Sequence, residues 1–133
     1  MEVLLSTKFI DIEFDNETKI FKLLWKPETE NMTDDEFKEI MLKFVDEFHR
    51  KPTGGIHQMQ EMGFTISPEL QEWVDENVSK PAWEAGAKKI AFVLSSNIFA
   101  SVSAEQTAEQ EITSKMEVQY FDNEDEAMKW LLK

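Results

Sequence analysis

Lys88-Lys89-Ile90-Ala91-Phe92-Val93-Leu94-Ser95-Ser96-Asn97 is the stretch on which the fold turns. Its centre is five consecutive apolar residues, with a lysine pair before them and three small polar residues after them. A strand with one wet face alternates polar and apolar residues, whereas an unbroken apolar run fits a strand covered on both faces, the situation of an interior strand in a parallel sheet. Ser95-Ser96-Asn97 offers capping oxygens for a helical segment directly after it. A parallel neighbour needs a crossover connection, usually a helix, so Ile90 to Leu94 predicts a β-α-β arrangement around itself.

Reading outward from that run supports the arrangement. Towards the carboxyl end, Ser103-Ala104-Glu105-Gln106 has the spacing of a capping box, so the helical segment is expected to restart near residue 104. Met116 to Phe121 reads as the last strand. Asp122-Asn123-Glu124-Asp125-Glu126 then opens a C-terminal helix with Ala127, Trp130 and Leu131 facing inward. Towards the amino end, Ser67-Pro68-Glu69 supplies an N-cap, a proline at the first helical position and an acid beside the helix dipole. Leu70, Trp73, Val74 and Val78 form the buried stripe of that helix. Pro81 is expected to break or kink it, leaving a short piece from Ala82 to Ala85 that ends at Gly86.

Gly54-Gly55 opens a third strand, expected from Ile56 to Met62, and Gly63-Phe64-Thr65-Ile66 connects it to Ser67. Thr33-Asp34-Asp35-Glu36 is a capping box, followed by Phe37, Ile40, Met41, Phe44, Val45 and Phe48 at helical spacing, and by His49-Arg50-Lys51 at the negative end of the dipole. Lys8 to Phe14 and Lys19 to Lys26 alternate with a period of two, Ile10, Ile12 and Phe14 on one face of the first and Phe21, Leu23 and Trp25 on one face of the second. The short Asp15-Asn16-Glu17-Thr18 turn between them requires an antiparallel hairpin. The expected architecture is therefore α/β: a mixed, mostly parallel five-stranded sheet flanked by helices, in the order β-β-α-β-α-β-α-β-α, with right-handed crossovers. Residues 1–133 are expected to form a single domain.

Composition limits what such a domain does. With 27 acidic against 14 basic side chains and a formal charge of -13, the surface repels nucleic-acid phosphates and anionic membranes. A protein partner is expected instead, and the acidity favours a basic one. Homodimerisation is a further expectation, because an apolar face left uncovered on a small domain invites pairing. The absence of cysteine removes disulfides, thiolate metal sites and a cysteine nucleophile. Met1 to Lys8 carries neither the positive flank nor the apolar run of a signal peptide, and no apolar run reaches membrane-spanning length, so a cytoplasmic protein is expected.

No catalytic or cofactor motif stands out, and no cofactor or metal is expected. His49 and His57 are the only histidines, and neither has ligand spacing. His57 stands in the polar stretch His57-Gln58-Met59-Gln60-Glu61, where a His57–Glu61 pair is a candidate polar site. Glu69, Glu72 and Glu76 share a helical face that reads as solvated, and the acids from Asp122 to Glu126 lack the central glycine of a calcium loop. If the strands before Ser67 and Ser95 are neighbours, Thr65, Ser67, Ser95 and Ser96 meet at the carboxyl end of the sheet, where α/β proteins bind ligands; a small anion is the candidate occupant. The competing account of these hydroxyls is helix capping alone.

Four segments carry a resemblance: Phe64 to Trp73, Ala91 to Leu94, Phe99 to Thr107, and Tyr120 to Leu131. Together they resemble the small bacterial proteins of the STAS/SEC14 type, similar to SpoIIAA-like anti-sigma-factor antagonists. The resemblance implies a non-enzymatic protein-binding or regulatory module. It also implies that Ser67 occupies the place of a serine that a partner kinase phosphorylates in the antagonists. Where those proteins carry Asp-Ser-Ser or Asp-Ser-Thr, this chain reads Thr65-Ile66-Ser67-Pro68. The SEC14 side of the resemblance implies an alternative, a small-molecule or lipid binding module with an apolar pocket under its helices.

Overall fold

The computed structural model describes residues 1–95 and 116–133. Six strands form one sheet in chain order: β1 (Glu2–Ser6), β2 (Ile10–Asp15), β3 (Ile20–Trp25), β4 (Gly54–Gln58), β5 (Lys89–Val93) and β6 (Glu117–Phe121). β1 and β3 each run antiparallel to β2 between them, and β3, β4, β5 and β6 are mutually parallel. The apolar run is interior as expected, with β5 parallel to β4 on one side and β6 on the other. The helical segment expected after Ser95, with its restart near residue 104, lies outside the described residues.

The sixth strand is the addition. Glu2–Ser6 pairs antiparallel with β2 through an irregularity between Val3 and Leu5. Its apolar residues, Val3-Leu4-Leu5, are consecutive and only partly covered. An edge strand with a bulge loses the strict alternation by which a half-buried strand is recognised. Arg50 ties it down from outside, its guanidinium reaching Glu2 at 3.3 Å and Glu47 at 2.9 Å.

Three helices start at a capping side chain. α1 (Asp34–Val45) has the full capping box: the Thr33 hydroxyl accepts from the Glu36 amide at 3.2 Å, and the Glu36 carboxylate accepts from the Thr33 amide at 2.9 Å. α2 (Pro68–Val74) does not break at Pro81. It widens into a π-turn over Asp75–Ser79 and continues as α3 (Lys80–Ala85). The wider turn shifts the hydrogen-bond register, so the missing proline amide is absorbed without a break. Asn77 Nδ2 donates to the Trp73 carbonyl at 2.9 Å within the same widened turn. α4 (Glu124–Leu131) is capped by Asn123, whose Oδ1 accepts from the Glu126 amide at 3.0 Å.

Two apolar layers result, one on each face of the sheet. Ile10, Ile12, Phe14, Phe21, Leu23 and Trp25 project towards α1 and α2, where Phe37, Met41, Phe44 and Leu70 meet them. Trp25 stacks on Phe37 at 5.6 Å, and Phe21 meets Phe44 edge-on at 4.9 Å. Truncating one of these buried aromatics to alanine costs about 3–5 kcal/mol. On the opposite face Ile56, Ala91 and Val93 pack against Ala127 of α4. β5 therefore feeds both layers, as an unbroken apolar strand requires. Among the described residues no helix is long and apolar enough to cross a membrane.

Candidate functional site

β4 ends sooner than its sequence suggests. It stops at Gln58 rather than reaching Met62, because the Gln58 side chain accepts from the Gln60 amide at 3.0 Å and the Met62 amide donates to the Met59 carbonyl at 3.2 Å. The chain turns there and runs to Ser67 without regular structure. Thr29 anchors that connection, although nothing in the sequence marks it beyond a loop position. Its buried hydroxyl donates to the Lys26 carbonyl at 2.6 Å and accepts from the Gly63 amide at 2.8 Å. Gly63 permits the approach, since a Cβ there would stand 3.1 Å from the Glu30 Cα.

The anchored connection delivers Thr65 and Ser67 to the surface, and both are exposed. Ser67 is extended, its Oγ accepts from the Leu70 amide at 3.2 Å, and Pro68 follows at the first helical position. The N-cap role expected of Ser67 is thus filled. β4 and β5 are neighbours, and Ser95 sits half-buried directly beyond the end of β5. Ser96 lies outside the described residues. The Gln60 side chain spans the strand ends, its Nε2 donating to the Asp122 carbonyl at 3.0 Å and the Leu94 carbonyl at 3.4 Å.

His57 and Glu61 are not joined by a hydrogen bond or an ion pair. Glu61 is exposed in the turn after β4, whereas His57 projects from β4 towards the helices. The imidazole lies 5.2 Å from Phe92, which stacks in turn on Tyr120 at 5.5 Å, an aromatic row across β4, β5 and β6. The open part of the ring faces a cavity lined almost wholly by apolar side chains. Desolvation there lowers its pKa from 6.5 to about 4, so the ring is neutral at pH 7. That cavity, of about 110 Å³, lies between the sheet and the helices; Trp25, Phe37, His57, Val78 and Phe92 are among its walls. The sequence marks His57 as a polar residue in a strand, but not the face it occupies.

Exposed His49 contacts the Asp46 carbonyl at 2.9 Å, near the end of α1. Trp83, for which the sequence suggests no role, is half-buried with the Lys88 ammonium 3.7 Å from its ring centroid. Among the described residues no group of three or more histidine, aspartate or glutamate side chains converges on a metal position.

The model of one protein family, described as SpoIIAA-like, matches residues 28–132. No curated protein and no solved structure matches the chain.

Proposed function

The chain belongs to the SpoIIAA-like family, and from that premise we propose that it is a non-enzymatic regulatory module that binds a protein partner, in the manner of an anti-sigma-factor antagonist. The observation that carries this reading is the exposed Ser67 hydroxyl at the start of α2, on a connection pinned by Thr29. Phosphorylation of Ser67 is the proposed control. A phosphate adds about 1.5–2 negative charges at pH 7, on the part of the surface that Thr65 shares. The partner's contact face is basic, complementary to a chain of net charge -13. On this reading residues 1–133 act as one domain in the cytoplasm, and Ser95 borders the partner's footprint.

Asp and Ala at position 67 separate regulation from folding. Ser67→Asp keeps a good N-cap and adds charge, whereas Ser67→Ala loses about 1 kcal/mol of capping without adding any. Tagged chains expressed at native level in their own cells are isolated with their partners. The wild type and Ser67→Ala are expected to retain a stoichiometric protein, and Ser67→Asp to lose it. Intact-mass analysis is expected to find a phosphorylated fraction of the wild type that vanishes in Ser67→Ala. Equal recovery by all three forms, with no phosphate, would remove the reading. Gel filtration of the purified chain distinguishes self-pairing from capture of another protein.

A further inference from the structure

Gly55 stands in the middle of a four-stranded parallel array with no conformational need to be glycine. Its φ is not positive, in contrast to that of Gly86. A Cβ built on it would meet only the Phe21 carbonyl, at an ordinary 3.7 Å. Its neighbour Gly54 differs: a Cβ there would lie 2.6 Å from the Lys89 carbonyl, so Gly54 is fixed by close packing. A glycine inside a strand weakens it, and one without a backbone reason marks a place where something else approaches the sheet. By strand alternation Gly55 faces the same side as His57, and both line the cavity under the helices.

Polar groups at the cavity wall and behind it are incompletely satisfied. Trp25 is 2% exposed, and its indole Nε1 is buried without a hydrogen-bond partner. Native proteins rarely leave a buried donor in that state. Among the described residues His57 has no hydrogen-bond partner, and a neutral imidazole offers one donor and one acceptor. Gln71 and Ser79 are the other polar side chains among the described lining residues; Phe21, Phe37, Met41, Phe44, Val74 and Phe92 are among the apolar ones. Part of the roof is the π-turn, which contributes Val78 and Ser79, and such insertions are frequent at functional sites. Met59 and Met62 add adaptable walls from the connection after β4.

We propose that this cavity is a binding site for a small neutral molecule of about one ring, carrying a hydroxyl or carbonyl group that pairs with His57. The size sets the class. At about 110 Å³ the cavity is comparable to apolar cavities that take up benzene, and it has no room for a phospholipid. The charge state follows from the walls, because among the described lining residues His57 is the only titratable side chain, and an ion beside it would go unpaired there. Ser67 itself is not in the lining, although its neighbour Ile66 is, and the proposal does not depend on the regulatory reading.

The test uses the full chain with phenol as the probe and toluene as its apolar counterpart, followed by amide chemical shifts. Both are expected to bind saturably and to shift the cavity-lining residues, with phenol tighter by about three- to tenfold for the hydrogen bond it gains. Gly55→Val fills the floor with a better strand former and is expected to abolish both titrations while the fold persists. If that variant does not fold, the smaller Gly55→Ala is expected to weaken both. Ser67→Asp is expected to leave both unchanged. No binding to the wild type, equal affinity for the two probes, or undiminished binding in the folded Gly55 variant would each overturn the proposal.

Discussion

His57 shows how much one side chain depends on which face of a strand it occupies. With a folded pKa of about 4 and an unfolded value of 6.5, the unfolded chain takes up the proton first as pH falls. Stability is therefore complete above the unfolded value and declines as pH drops from 6.5 towards 4. Between about pH 7.5 and pH 5 the expected loss is about 2 kcal/mol. Urea denaturation of the wild type and of His57→Phe at both pH values isolates it: the difference in stability between the two proteins should shift by that amount, and a constant difference would contradict the burial. The residue chemistry of the helix starts was legible in the sequence, because a cap is read from four consecutive positions; Ser67 and Thr33 sit where the sequence places them, and Asn123 falls inside the Asp122–Glu126 helix start without being singled out. The orphaned Trp25 indole, the open floor at Gly55 and the Thr29 anchor were not legible. Each depends on residues brought together from distant parts of the chain.

At the level of elements, local chemistry decides starts better than ends. The hairpin, the capping box and the apolar run are short-range signals, and β2, β3, α1 and β5 follow them. Strand ends and helix continuity answer to more distant demands. β4 stops at Gln58 because side-chain and turn hydrogen bonds outcompete the ladder. The helix survives Pro81 because a π-turn shifts its register, a choice that proline rules alone do not anticipate. β1 escapes notice because its apolar residues do not alternate. The capping box of α1 gives the element-scale test. Thr33→Ala is expected to lower stability by about 1 kcal/mol, and Thr33→Asp, which keeps an acceptor, to restore most of it. Equal losses in both variants, measured by thermal or chemical unfolding, would mean that the helix start draws nothing from the cap.

For the molecule as a whole, one strand organises the rest. β5 contributes Ala91 and Val93 to the layer under α4, and Ile90 and Phe92 to the cavity side, and its end carries Ser95. Its parallel neighbour β4 leads through the Thr29-anchored connection to Ser67. The interior site and the exposed serine thus hang from the same pair of strands. The measurement that tests this most directly is a set of inter-strand nuclear Overhauser effects from Ile90–Val93, recorded with amide exchange on the full chain. The account expects contacts from Phe92 to both His57 and Tyr120 in parallel register, with slow amide exchange across the strand. Contacts to one side only, or fast exchange of the kind an edge strand shows, would contradict it.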